Sequence, residues 1–138
     1  MSSAKTICDD VCMRPLRFRY LWLFGGFFLV GLVLFTTLMP STALPITVEN
    51  DKAVHALTFV ILMIWFSGVF KLRFTPLVAV ALLLLGVSIE LLQGQLVYRS
   101  AELADGLADI VGIALGWVLA VSGLQHWVEW VESWFAYE

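Results

Sequence analysis

The chain's 138 residues are 61% hydrophobic and 14% charged, against roughly 45–50% and about 25% in an ordinary globular domain. That surplus excludes a water-soluble domain, and a formal charge of −3 with no basic aromatic tract excludes a nucleic-acid-binding surface. Cys8 and Cys12 lack the second ligand pair that a zinc site needs, so they read as ordinary thiols in a polar N-terminal segment.

A helix crossing the hydrocarbon core needs about 20 apolar residues, and four stretches supply them. The first, from about Tyr20 to Met39, is uncharged and is stopped by Pro40 and Pro45. It exceeds the roughly 7–15 residues of a signal-peptide core, so an uncleaved helix is expected despite the cleavage-like Ser41-Thr42-Ala43. The second, from about Val54 to Phe70, ends in the basic turn Lys71-Leu72-Arg73. The third runs from Phe74 to about Leu96, with Pro76 in its first turn, where a missing N–H costs little. The fourth runs from about Leu103 to Leu124, and its Gly112-x-x-x-Gly116 spacing lets another helix approach closely.

In the tail, Trp127, Val128, Trp130, Val131, Trp134 and Phe135 share one helical face, with Glu129, Glu132 and Ser133 elsewhere on the wheel. This predicts a short amphipathic helix in the membrane interface, where tryptophan is favoured. The fold expected is all-α: a polytopic four-transmembrane-helix bundle with a C-terminal interfacial helix. It divides into a cytoplasmic segment 1–19, a membrane domain 20–124 and a cytoplasmic tail 125–138.

Lysine and arginine set the expected orientation. Lys5, Arg14, Arg17 and Arg19 precede the first helix, and Lys71 and Arg73 separate the second from the third; Lys52 and Arg99 fall on the other side. The positive-inside rule then puts both termini in the cytoplasm.

The polar residues converge on the opposite end. Asp51, Lys52 and His55 open the second helix, Glu90 and Gln93 lie near the end of the third, Arg99 follows, and Asp105 and Asp109 open the fourth. At 3.6 residues per turn, Gly86, Glu90 and Gln93 share a stripe, as do Asp105, Asp109, Gly112 and Gly116. Stripes carrying both charges and glycines should face the bundle. An ionised Glu90 in a span costs up to about 2.5–3.5 kcal/mol, for which Lys52 and Arg99 are the expected compensating partners. Ion pairs Lys52–Glu90 and Arg99–Asp105 are the bland reading of the same residues, with His55 and Gln93 satisfying buried polar groups.

Asp51-Lys52-x-x-His55-x-x-x-Phe59, then Glu90-x-x-Gln93, Arg99, Asp105 and a small-residue helix, resembles the VanZ-like family of bacterial membrane proteins over about Met39 to Ala120. Asp109 departs from it, standing where that family carries Asn. The family is named for a protein linked to glycopeptide resistance, and the resemblance implies a place in the bacterial inner membrane and an association with the cell envelope, nothing narrower.

The first functional expectation is a periplasm-facing site, with Lys52, Gln93, Arg99, Asp105 and Asp109 as binding residues, for an envelope lipid, a lipid-linked glycan precursor or a glycopeptide. Acids outnumber bases there, which favours a cationic ligand, a proton relay or protonated acids over a simple anion. An enzyme acting on a lipid headgroup is the alternative, with His55 as base, oriented by Asp51 or Glu90. A scaffold for an envelope complex, or a homo-oligomer, is a further alternative. No cofactor or metal is expected from motif spacing. A divalent ion of the Mg, Mn or Ca kind is the option left open by His55 with Asp51, Glu90, Asp105 and Asp109.

Overall fold

A computed structural model describes residues 12–40, 51–97 and 102–135, with Asp51 described by its backbone alone. Lys5, Cys8, Pro45 and Arg99 lie outside the described residues. The elements in order are α1 (Arg19–Leu38), α2 (Asp51–Val69), α3 (Thr75–Gln93), α4 (Leu103–Val121) and α5 (Trp127–Phe135), with short 3-10 turns at Leu72–Phe74 and Leu124–His126. The first four are long and apolar enough to cross a membrane, so the chain is an all-α, multi-pass four-helix bundle.

Helix boundaries follow local chemistry. Met39 is extended, as the residue before Pro40 must be, and α1 stops there. Thr75-Pro76 starts α3, and the Thr75 hydroxyl donates to the Leu72 carbonyl at 2.8 Å. Two ends differ from expectation. The second helix begins at Asp51, three residues earlier than expected. The third closes at Gln93 instead of Leu96, because Gly94 weakens it and the chain tightens into turns, Gln95 N–H to Leu92 O at 3.1 Å and Leu96 N–H to Gln93 O at 3.0 Å. Glu90 therefore sits in the last turn of α3, shallower than the sequence suggested.

The central helix is α2, which packs on each of the other three and most extensively on α4. The glycine stripe of α4 makes that seam. A Cβ on Gly112 would strike the Ala56 carbonyl oxygen, and one on Gly116 would lie 2.7 Å from Met63 Cβ and 2.9 Å from the Val60 carbonyl oxygen. Phe59, Leu62 and Met63 of α2 are fully buried against Leu82, Ile89 and Ile113. The outward side is apolar too, with Phe24, Phe28 and Phe35 of α1, Leu84 of α3 and Val118 of α4 all exposed. A lipid-facing surface takes that form, since in a bilayer both sides of a helix meet hydrocarbon.

At one end of the bundle the segment before α1 meets α5. Arg14 N–H donates to Val69 O at 3.0 Å, and Arg14 Nε to Phe70 O at 3.2 Å, satisfying carbonyls that the end of α2 leaves open. Gly123, at φ 133°, turns the chain out of α4 so that α5 folds back against this segment. Arg14 then donates to Glu129 Oε1 at 2.8 Å and to Gln125 Oε1 at 2.9 Å. Glu132 accepts from the Arg17 and Phe18 backbone N–H groups and from Trp22 Nε1 at 2.8–2.9 Å, at the electropositive start of α1. Trp22, Trp65 and Trp127 form a three-ring cluster with centroids 4.9–5.8 Å apart.

The tail is the expected short helix, and its contacts with the N-terminal segment and α1 are what the sequence pattern does not report. Its glutamates turn inward onto Arg14 and α1, and Trp127 and Val128 pack within the protein, leaving Trp130, Trp134 and Phe135 exposed. Burial pushes the Glu129 carboxyl up, but hydrogen bonds from His126 and Arg14 and the Arg14 charge outweigh it and hold the group below the usual carboxylate range. A depressed folded-state pKa stabilises docking at pH values above the free carboxyl's pKa of about 4.3. That contribution disappears as pH falls through the folded value. Acidification below about pH 4 should therefore perturb the tryptophan cluster's fluorescence, and Glu129→Gln should flatten that titration.

Candidate functional site

The opposite end holds the polar residues, and its centre is a buried contact between α2 and α4. His55 Nδ1 lies 3.0 Å from Asp109 Oδ1, with the two residues 6% and 1% exposed. The seam explains the pair. Ala56, which meets Gly112, follows His55 directly, and Gly112 stands one turn after Asp109, so close approach of the backbones also fixes the side chains.

The third helix completes the group. Gly86 leaves room for the other carboxylate oxygen: a Cβ there would stand 2.8 Å from Asp109 Oδ2. One turn on, Glu90 joins, and His55, Glu90 and Asp109 each place a ligand-type atom within 4.8 Å of the others. Asp109 Oδ2 and Glu90 Oε1 are buried and have no hydrogen-bond partner among the described residues.

Around this core the expected residues divide. Lys52 does not pair with Glu90: its Nζ lies 3.0 Å from Glu102 Oε2 and 3.6 Å from Asp105 Oδ1. The reason is position, since Lys52 opens α2 beside the start of α4, where Glu102 and Asp105 stand. Gln93 is buried and donates through Nε2 to Thr37 O at 2.9 Å, tying α3 to the end of α1. Asp109 touches His55, a contact the sequence did not single out, and the side chain of Asp51, the other acid expected to orient the ring besides Glu90, lies outside the described residues. Arg99, and with it the expected Arg99–Asp105 pair, falls outside the described residues. Two contributors went unread in the sequence: Glu102 as the partner of Lys52, and Gly86 as the space that Asp109 fills.

A groove of about 410 Å³ opens from the lipid-facing side to this cluster, between α3 and α4. Leu83, Val87 and Leu91 form one wall, and Leu103, Leu107 and Ile110 the other, while Glu90 and Asp109 also line it. A second crevice, of about 470 Å³ between α1, α2 and α3, is lined by residues such as Phe27, Phe66 and Leu82 and by no acid. Of these two, the first is where an apolar chain and a polar group can be held together. Comparison with family models, with curated proteins and with solved structures finds no match, and the site is read from its own geometry.

Proposed function

We propose that this chain is a VanZ-like protein of the bacterial cytoplasmic membrane, with both termini cytoplasmic. Its polar site at the periplasmic end receives the headgroup of an envelope lipid, a lipid-linked glycan precursor or a glycopeptide. The observation that carries this reading is the lateral groove, whose leucine-rich walls suit an acyl or isoprenoid chain and whose lining carries the Glu90 and Asp109 carboxylates. Ligand pockets typically combine a mostly apolar lining with a few placed polar groups. Carboxylate oxygens without protein donors suit a headgroup rich in donors, such as sugar hydroxyls or an amine.

A photo-crosslinking amino acid at Leu107, in the groove wall, tests the reading. It should capture a lipid distinct from the bulk phospholipid trapped by the same probe at Val118, and Glu90→Gln should reduce that capture several-fold. Identical lipid profiles at the two positions would sink the proposal.

The His55–Asp109 contact favours a second reading, catalysis on the same headgroup. A carboxylate bonded to Nδ1 orients an imidazole for proton transfer. Mass spectrometry of envelope lipids from cells with and without the protein separates the two. A changed headgroup selects catalysis, and an unchanged profile selects binding.

A further inference from the structure

We propose that His55, Glu90 and Asp109 bind one divalent transition-metal ion, of the zinc or manganese class. The three residues come from three helices, and their ligand atoms already lie within 4.8 Å of one another. A zinc site with ligand bonds of about 2.0–2.2 Å needs ligand atoms about 3.4 Å apart. Closing the remaining gap takes a small movement of Glu90, the one of the three on a long, flexible stem and only partly buried.

Two independent observations say that something positive belongs there. Asp109 is 1% exposed, yet its Oδ2 has no hydrogen-bond partner among the described residues and is aimed at the face of α3 that carries Gly86 and Glu90. Buried polar groups are otherwise nearly always satisfied. Glu90, for its part, stands in the last turn of α3, where the helix dipole disfavours a negative charge. Among the described residues Lys52 is the basic residue at this end besides His55, and it is engaged by Glu102 and Asp105.

Charge and donor type fit the ion. Two carboxylates and a neutral imidazole around a divalent cation sum to zero, which a low-dielectric site requires. One nitrogen among oxygens turns the preference from calcium, which takes six to eight oxygens, toward zinc or manganese. Three protein ligands leave a coordination position open, the arrangement of zinc sites that hold water or an exchangeable group. Such an ion would sit in the pocket assigned above to a headgroup, but its binding depends on no lipid.

The test is metal analysis of the full-length protein, purified in mild detergent, loaded with ZnCl2 or MnCl2 and dialysed against metal-free buffer. The wild type should retain about one ion per chain and unfold at a higher temperature than the chelator-treated protein. Glu90→Gln and Asp109→Asn should lose the ion, whereas Glu132→Gln, at the other end of the bundle, should keep it. Failure of the wild type to retain stoichiometric ion, with no thermal shift on adding either salt, overturns the proposal without reference to any variant's folding. Repeating the Leu107 crosslinking on the same preparations keeps the two readings apart. Lipid capture by a chain that binds no metal overturns the ion alone, and a metal-bearing chain that captures no distinct lipid overturns the headgroup reading alone.

Discussion

Replacing His55 with leucine should cost about 3–5 kcal/mol of stability in the presence of a chelator, and adding Asp109→Leu should return most of that loss. The two side chains are buried and 3.0 Å apart. Deleting the imidazole strands the Asp109 carboxylate beside Glu90, two acids in a low-dielectric space with neither hydrogen bond nor counter-charge from α2. Deleting both members of the pair removes the stranded charge and leaves apolar side chains against Phe59, which lies 3.3 Å from the position of a Gly86 Cβ. Replacing a buried pair with packed apolar groups is often neutral or stabilising. The reverse single change, Asp109→Leu, should be milder, about 1–3 kcal/mol, because an imidazole can remain neutral and loses one hydrogen bond. The asymmetry is the informative part, since a merely space-filling pair would give equal single effects that add. Reversible unfolding in mixed micelles of the wild type, the two singles and the double measures the coupling directly. Additive losses would show that the contact carries no special electrostatic role.

Much of this site is legible in the sequence, and what is not has a common cause. Periodicity placed Glu90, Asp105 and Asp109 on bundle-facing stripes because each stripe also carried glycines, and Gly112 and Gly116 do seat α4 on α2. Topology alone brought His55 to the same end. Partner choice was not readable. Asp109 is fifty-four residues after His55, yet it makes a buried contact with the ring, because a seam between helices sets side-chain register and a one-dimensional pattern carries no register. The same holds for Lys52, whose partners sit at the start of α4 instead of the end of α3. At the other end, Arg14 reads as one more orienting cation, while its burial against Glu129, His126 and Gln125 depends on Gly123 reversing the chain. The tail's hydrophobic face was visible, but the docking of its acidic face was not, since two of the donors to Glu132 are backbone N–H groups of Arg17 and Phe18 that no side-chain pattern reports.

The largest effect expected from a single methyl group is at Gly112. A Cβ there would overlap the Ala56 carbonyl oxygen and lie 3.0 Å from Ala56 Cα, and backbone cannot rotate aside as a side chain can. The helices must separate, so Gly112→Ala should cost about 1–3 kcal/mol despite alanine's better helix propensity, and Gly112→Leu more. The consequence for the site follows from spacing. Ala56 adjoins His55 and Gly112 lies one turn from Asp109, so separation at this seam lengthens the 3.0 Å contact that the pocket is built on. Lipid capture at Leu107 should fall in Gly112→Leu even though no pocket-lining residue has changed. Gly31→Ala in α1 is the control: nothing lies within 4 Å of its added Cβ, and helix propensity alone should make it neutral or stabilising by up to about 1 kcal/mol. Unfolding curves for both variants decide the matter. A Gly112→Ala protein as stable as wild type would mean that α2 and α4 are not held at this distance, and the His55–Asp109 pairing would lose its structural cause.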